Sequence, residues 1–347
     1  MKYEHGGDIY RNSMILDFSA NINPLGIPRD SIKAAEEGIR NSIHYPDYLG
    51  EEVCIRLGQK WNLTKDEFLI GNGAAEIIYG IAYGLKPKKA LFLAPMFSEY
   101  EISLRNINCQ IEYFELNEAE DFVVTERILS QITKEKDIMY ICNPNNPTGQ
   151  VVSLKLMQEI AEKCKKNNVI LVIDECFIEF LDEFEKYTMV SYLSSNNHII
   201  IINAFTKIYG MPGLRLGYAI SSNYFLLEEI KQALPMWNTS IPAQAAGIEA
   251  IKDKDYLVHT RLLIGAERQY LLDNLKFDVI EKIYGSSANF IFLKGKESLA
   301  DIFLEKGIMI RDCSNFKGLS KGYFRIAIRT HNENEKLITC MREYYLK

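Results

Sequence analysis

The fold is decided by the stretch Asn203-Ala-Phe-Thr-Lys-Ile-Tyr-Gly-Met-Pro-Gly-Leu-Arg-Leu-Gly-Tyr218. It follows an apolar strand candidate at 198–203 and contains Lys207, with Arg215 eight residues further along the chain. A lysine directly after a buried strand, followed by a second cation, favours a site that holds an aldehyde cofactor. One lysine alone would carry little weight.

Two segments upstream of Lys207 strengthen this interpretation. The first is the turn-rich loop Asn143-Pro-Asn-Asn-Pro-Thr-Gly149, and the second is Val169-Ile-Leu-Val-Ile-Asp-Glu175, a buried strand that ends in a carboxylate. Pyridoxal phosphate needs a lysine for its aldehyde, an acid for its ring nitrogen and a positive cradle for its phosphate. The three segments together therefore predict pyridoxal phosphate as the cofactor.

Composition excludes several other classes of protein. The chain has 347 residues, 47% of them apolar and 25% charged, and a net charge of −6, without a basic block. These values argue against a nucleic-acid or membrane partner. No apolar run is long enough to span a bilayer, and the N-terminus lacks a signal-like apolar region, so we expect a cytoplasmic protein. The seven cysteines and five histidines are scattered, and we expect no metal.

The order of strand-like and helix-like segments predicts an α/β fold. Short apolar runs alternate with helical segments, at 90–94, 110–114, 137–142, 169–174, 198–203 and 215–220. This pattern is typical of a mostly parallel sheet between helices. Beyond residue 242 a long helical stretch, 243–275, precedes mixed strands and helices, which indicates a smaller α+β domain. We predict an N-terminal arm and the start of the small domain at 1–40, a large cofactor domain at 41–245 and a small C-terminal domain at 246–347.

These motifs, together with Leu69-Ile-Gly-Asn-Gly-Ala-Ala-Glu-Ile-Ile78, resemble those of the fold-type I pyridoxal-phosphate enzymes. The resemblance covers nearly the whole chain and is to the class I/II aminotransferase group, which includes histidinol-phosphate aminotransferase and threonine-phosphate decarboxylase. It implies an aspartate-aminotransferase-like fold.

The resemblance also implies roles around the cofactor ring. Lys207 would hold the aldehyde, Asp174 would pair with the ring nitrogen, and Asn146 would bond the phenolic oxygen. Phe97 would stack on the ring. Phe177 departs from much of the group, which has a tyrosine there to bond the phenolic oxygen.

The cofactor phosphate would be bound by Arg215 and Thr206, and by the backbone at the predicted helix start formed by Gly73, Ala74 and Ala75, where the helix dipole favours anions. Tyr45 matches a tyrosine that reaches the phosphate in the neighbouring subunit, which implies a homodimer.

The N-terminal motifs narrow the resemblance to one branch. His5-Gly-Gly-Asp and Asp17-Phe-Ser-Ala-Asn-Ile-Asn-Pro-Leu-Gly26 are similar to the opening segments of the threonine-phosphate decarboxylase branch. Asp8 replaces the asparagine usual in that branch, which is a small departure.

The same resemblance assigns substrate contacts. Arg325 would bind the substrate carboxylate, and Arg311, Arg329 and His5 are candidates for the substrate phosphate. Asn23, within the second N-terminal motif, is also expected to contact the substrate. Guanidinium groups suit both anions because their planar donors match two oxygens at once.

The hypothesis is therefore decarboxylation of L-threonine O-phosphate to (R)-1-amino-2-propanol O-phosphate, a step in cobalamin biosynthesis. A histidinol-phosphate aminotransferase or another aminotransferase is the nearest alternative, because one cofactor serves both reactions. Serine phosphate is an alternative substrate. A sensing domain of a transcription regulator is a third possibility, but it would need a DNA-binding domain, and we expect none before Ser19.

Overall fold

The computed structural model describes residues 5–10 and 15–345. The strands of this part of the chain are β1 (Leu16–Asp17), β2 (Phe68–Gly71), β3 (Lys89–Ala94), β4 (Gln110–Glu115), β5 (Ile138–Cys142), β6 (Ile170–Asp174), β7 (Ile199–Ala204), β8 (Gly217–Ile220), β9 (Ile280–Ile283), β10 (Phe290–Gly295), β11 (Ile308–Met309), β12 (Arg311–Asp312) and β13 (Tyr323–Ala327). Its α-helices are α1 (Arg29–Arg40), α2 (Glu51–Trp61), α3 (Gly73–Leu85), α4 (Glu99–Arg105), α5 (Leu154–Asn167), α6 (Phe205–Ile208), α7 (Tyr224–Gln232), α8 (Ile241–Lys252), α9 (Lys254–Asn274), α10 (Leu299–Glu305) and α11 (His331–Tyr345).

A large sheet has the strand order β2-β8-β7-β6-β5-β3-β4. Only β8 runs against its neighbours, and the strands from β7 to β4 pair in parallel. The central strands β5 and β7 are buried along their whole length. Such strands are covered on both faces, which explains why they are continuous apolar runs and not alternating ones. The α/β prediction is confirmed.

The direction of the strands brings the three cofactor motifs together. In the parallel pairs, Cys142 of β5 lies beside Asp174 of β6, and Asp174 lies beside Ile202 of β7. These three strands therefore end at the same edge of the sheet. The loop with Asn146 leaves β5 there, and α6 with Lys207 follows β7 there.

A second, antiparallel sheet has the order β12-β13-β10-β9. In addition, β1 pairs in parallel with β11, so the N-terminal segment joins the C-terminal part of the chain. The helix α1 packs against α8, and Gly38 allows the close approach because an added Cβ would lie 2.8 Å from Pro242 Cα. The separate small sheet agrees with the expected second domain, and the exact domain limits stay a prediction.

The predicted helical stretch 243–275 is corrected to two helices. Asp253, between α8 and α9, has φ −83° and ψ 82°, and its side chain accepts a hydrogen bond from Tyr256 N at 3.0 Å. An aspartate in this non-helical conformation caps the following helix and ends the preceding one. Among residues 5–10 and 15–345, no helix is both long and apolar enough to cross a membrane.

Candidate active site

A cavity of about 240 Å³ lies where the carboxyl ends of β5, β6 and β7 meet the small sheet. Most of the predicted site residues line it, namely His5, Ala74, Ala75, Phe97, Asn146, Asp174, Thr206, Lys207, Arg215, Arg311 and Arg325. The fold therefore brings residues from distant parts of the chain, between positions 5 and 325, into the wall of one cavity.

Lys207 lies in the single turn α6, directly after β7. Burial and, after it, the nearby charge of Arg325 lower the pKa of Lys207 to about 8. A lysine with such a pKa has a substantial neutral fraction near neutral pH, and the neutral amine is the form that attacks a carbonyl. The position favours an amine that reacts with an aldehyde.

Asp174 ends β6 and is almost fully buried. Its Oδ1 accepts from Cys176 N at 2.9 Å, and its Oδ2 accepts from the hydroxyl of Tyr100. Burial, together with the adjacent Asp174 charge, raises the pKa of Tyr100, so its hydroxyl remains a donor. The sequence did not point to Tyr100, because nothing local links it to a residue 74 positions away.

Asn146 follows β5 and is oriented by Arg325. The Oδ1 atom of Asn146 accepts a hydrogen bond from Arg325 Nη1. A guanidinium group can only donate, so this contact fixes the carbonyl side of the amide toward Arg325. The Nδ2 group of Asn146 is then left as a donor for a ligand in the cavity.

The anion cradle is formed at the start of α3. Arg215 has φ +61°, donates from Nη1 to Pro212 O at 3.1 Å and from Nη2 to Asn72 O at 3.4 Å. An added Cβ at Gly73 would lie 2.4 Å from Arg215 Nη2, so Gly73 leaves room for the guanidinium group. A helix N-terminus beside an arginine suits a phosphate group.

Two phenylalanines form apolar parts of the cavity wall. Phe97 lies edge-on to Tyr100, with ring centroids 5.5 Å apart, and 5.8 Å from the ring of His5. Phe177 packs edge-on against Phe290 at 5.3 Å. Both line the cavity, but Phe177 offers no hydroxyl to a ligand there.

Arg311 and Arg325 are Cα partners on the antiparallel strands β12 and β13, and both are buried. Arg325 Nη2 donates to Ser19 O at 2.8 Å, and Arg311 Nη2 donates to Asn315 Oδ1 at 2.8 Å. Burial lowers the pKa of Arg325 to about 10, so the side chain stays cationic at neutral pH. A buried cation is expensive without an anion, so Arg325 favours an anionic ligand in this cavity.

The N-terminal arm covers one side of the cavity. His5 lies 2.8 Å from Glu99, measured from Nε2 to Oε1, and the arm is held by a bond from Gly7 N to Ser19 Oγ at 2.9 Å. The bond to His5 is the main cause of a lowered Glu99 pKa. His5 is thus brought to the cavity from the far N-terminal end of the described chain.

Four of the predicted residues do not line the cavity, namely Gly73, Asn23, Arg329 and Tyr45. Asn23 is buried and donates from Nδ2 to Ile208 O and Thr260 Oγ1, both at 2.7 Å, and its expected contact with the substrate stays a prediction. Arg329 donates from Nε and Nη2 to Glu333 Oε1 at 3.1 and 2.6 Å, and its expected contact with the substrate phosphate stays a prediction. Tyr45 is 77% exposed and stacks on Trp237 at 4.5 Å.

Asn21 is a cavity residue that sequence reasoning missed. It is 2% exposed, and neither Nδ2 nor Oδ1 of its amide has a hydrogen-bond partner among the described residues. A buried amide in this state favours a polar ligand, because an unpaired buried donor costs about 1–3 kcal/mol. The N-terminal motif that contains Asn23 also contains Asn21, so the sequence did carry a signal for this residue.

In the described part of the chain, no group of three or more histidine, cysteine or acidic side chains could hold a metal ion. All seven cysteines are buried thiols, and Cys142 and Cys176 line the cavity.

Comparisons with known proteins agree with this geometry. The model of the family "Aminotransferase class I and II" matches residues 13–340. The chain is 33% identical to the threonine-phosphate decarboxylase of Salmonella typhimurium, over 97% of this chain and 95% of the relative. It is 32% identical to the adenosylcobalamin biosynthesis bifunctional protein CobDQ of Leptospira interrogans, over 96% of this chain and 40% of the relative. The structure of the histidinol-phosphate aminotransferase from Clostridium acetobutylicum superposes with a TM-score of 0.89 at 31% identity, over 95% of this chain and 99% of that one.

Proposed function

Because the chain belongs to the aminotransferase class I and II family, we propose that it is a pyridoxal-phosphate enzyme that decarboxylates L-threonine O-phosphate to (R)-1-amino-2-propanol O-phosphate. The observation that carries the proposal is the pair of buried arginines, Arg311 and Arg325, on the wall of the cavity that also contains Lys207. The substrate has two anionic groups, a carboxylate and a phosphate, and two guanidinium groups suit them. The relative named for adenosylcobalamin biosynthesis supports a place in cobalamin synthesis.

The residues of the cavity fit pyridoxal phosphate. Lys207 would hold the aldehyde, Asp174 would face the ring nitrogen and Asn146 Nδ2 would donate to the phenolic oxygen. Arg215, Thr206 and the start of α3 would hold the phosphate, in the space that Gly73 leaves open. When bound, pyridoxal phosphate supplies a sink for the electrons left at the substrate Cα. Tyr100 keeps the Asp174 carboxylate in place through its hydroxyl.

Substrate orientation decides which bond breaks. Arg325 would hold the carboxylate, and Arg311, His5 and Asn21 would surround the phosphate. The carboxylate then leaves as carbon dioxide, and one proton from Lys207 or a water replaces it at Cα. Lys207 suits this role because a pKa of about 8 allows the amine both to hold and to release a proton near neutral pH.

An aminotransferase is the second candidate function. The high TM-score of the solved histidinol-phosphate aminotransferase favours it, and the same Lys207 could remove the Cα proton. A phosphorylated serine is an alternative substrate, since one methyl group in a pocket changes selectivity by only about 10- to 200-fold.

We also propose a homodimer with Tyr45 at the neighbouring site. Tyr45 and Trp237 form an exposed stacked pair. Other exposed apolar side chains lie close to them in the chain, Ile39 and Ile43 before Tyr45 and Met236 before Trp237. Trp237 and Arg215 line a common surface depression, so a second copy that covers this face would meet the phosphate cradle. Exposed apolar patches of this kind are typical of interfaces. A cytoplasmic location, without nucleic-acid or membrane partners, stays a prediction.

The proposal is tested by parallel incubations of the purified, cofactor-loaded protein. One contains L-threonine O-phosphate, and the other contains histidinol phosphate with 2-oxoglutarate. Carbon dioxide release without an oxo acid is the expected result. Glutamate formation without carbon dioxide would replace the proposal with the aminotransferase, and the Lys207→Ala variant is the control that should be inactive in both.

A further inference from the structure

Lys207 lies on a very short helix that depends on outside support. The helix α6 has four residues, and a single turn is unstable alone because helix nucleation is costly. The carbonyls at its end need partners. Asn23 supplies two of them, since its backbone N donates to Lys207 O at 3.1 Å and its Nδ2 donates to Ile208 O at 2.7 Å.

Both donor hydrogens of the Asn23 amide are used in contacts within the protein. Nδ2 donates its second hydrogen to Thr260 Oγ1 of α9 at 2.7 Å, and Oδ1 accepts a hydrogen bond from Leu25 N at 3.1 Å. Both donor hydrogens of this amide are therefore used within the protein, and its oxygen already accepts one hydrogen bond. Asn23 therefore acts within the protein, at the contact between the N-terminal segment, α6 and α9.

The same N-terminal segment carries groups that face the substrate end of the cavity. Ser19 O accepts from Arg325 Nη2, and Asn21 lies in the cavity wall with an amide that has no hydrogen-bond partner in the described part of the chain. Further along, Gly26 O accepts from the Tyr256 hydroxyl at 2.6 Å, and an added Cβ at Gly210 would lie 2.6 Å from Gly26 O. Residues 19–26 and the turn of Lys207 are thus packed as one unit.

We propose that Asn23 is a positioning residue that sets the placement of the Lys207 amine relative to the substrate-binding groups around Ser19 and Asn21. It acts through Lys207 and does not touch the substrate. The inference rests on the proposed function for the chemistry at Lys207. An error of about 1 Å in the position of a reacting group can lower the rate about 100-fold.

The test compares Asn23→Ala with Thr260→Val in the cofactor-loaded protein. Asn23→Ala removes the two hydrogen bonds that Nδ2 donates, one to Ile208 O of α6 and one to Thr260 Oγ1 of α9. Thr260→Val also removes a buried hydrogen bond of Asn23, but leaves the bond to α6. We expect Asn23→Ala to lower kcat about 10- to 100-fold and to change KM less than about threefold. Thr260→Val should change kcat less than about threefold.

Hydrogen exchange separates positioning from a general loss of structure. In Asn23→Ala, amides of residues 205–210 should exchange faster while those of β6 exchange as in the unmodified protein. A folded Asn23→Ala variant with unchanged kcat would overturn the proposal. Equal acceleration across α6 and β6, with a loss of kcat that matches the loss of folded protein, would overturn it too. If Asn23→Ala does not fold, Asn23→Ser, which keeps one donor, is compared in the same way.

The exchange measurement also separates this inference from the proposed function. If the unmodified protein and Thr260→Val both fail to release carbon dioxide, the proposed function fails. The local exchange at α6, and the rate at which Lys207 takes up the cofactor, still report on Asn23. Unchanged exchange and uptake in Asn23→Ala would then overturn the positioning role alone.

Discussion

Arg325 donates a hydrogen bond to Oδ1 of Asn146, although the two residues are 179 positions apart in the chain. The contact joins the small sheet to the loop that follows β5 of the large sheet. One residue is expected at the substrate carboxylate and the other at the cofactor's phenolic oxygen. The hydrogen bond therefore links the proposed substrate site directly to the proposed cofactor site.

Replacement of Arg325 by lysine should reduce substrate use much more than cofactor binding. Lysine keeps the charge but cannot bond Asn146, Ser19 and a carboxylate with one planar group. We expect kcat/KM for L-threonine O-phosphate to fall about 100-fold or more, with a retained cofactor absorbance spectrum. Loss of the bound cofactor at unchanged kcat/KM per loaded site would contradict this role.

The pH dependence of cofactor uptake should report on Lys207. Its pKa is lowered to about 8, so the neutral amine becomes the main form as the pH rises through that value. The initial uptake rate in cofactor-free protein should rise with pH below 8 and level off above it. Absorbance measured after rapid mixing gives the rates, and Lys207→Ala shows the background. A rate that still rises steeply up to pH 10 would mean that the amine has the pKa of an exposed lysine.

Gly73→Ala should weaken the hold on the cofactor phosphate. The new Cβ would lie 2.4 Å from Arg215 Nη2, and Gly73 has φ +78°, which an alanine adopts only with strain. We expect the dissociation constant of pyridoxal phosphate to rise about tenfold or more, measured by equilibrium dialysis. Gly213→Ala is the matched control, because an added Cβ there meets nothing within 4 Å. Equal affinities in both variants would show that Gly73 has no role in binding the cofactor phosphate.

Two inactive variants should restore activity when they are mixed in one dimer. Tyr45→Ala and Lys207→Ala subunits can form a hybrid in which one site has Lys207 from one subunit and Tyr45 from the other. If the two kinds of subunit are coexpressed equally and pair at random, about one quarter of all sites should contain both native residues. Activity no higher than that of Tyr45→Ala alone would show that Tyr45 does not serve the neighbouring site.

The cofactor side of the cavity could be predicted from sequence because its residues lie at the ends of strands. Asp174 ends an apolar run and Lys207 follows one, and parallel strands bring such positions to a common edge. Tyr100 could not be predicted, because its bond to Asp174 depends on the tertiary placement of α4, and the two residues are 74 positions apart in the chain.

The substrate side was harder, because side-chain direction in an irregular segment cannot be read from a motif. Asn21 and Asn23 are two residues apart, yet one lies in the cavity wall and the other holds α6. The pairing of Arg329 with Glu333 did have a local signal, since the two are four residues apart at the start of a helix. The break at Asp253 was also visible as a capping residue within a long helical pattern.

The most direct measurement of the central claim is single turnover of L-threonine O-phosphate in D2O, with carbon dioxide and the amine product quantified together. The account predicts one carbon dioxide for each product molecule and one carbon-bound deuterium at the position that had held the carboxylate. Deuterium exchange at Cα of unreacted substrate, with the carboxylate retained, would contradict it and identify Lys207 as the base of an aminotransferase.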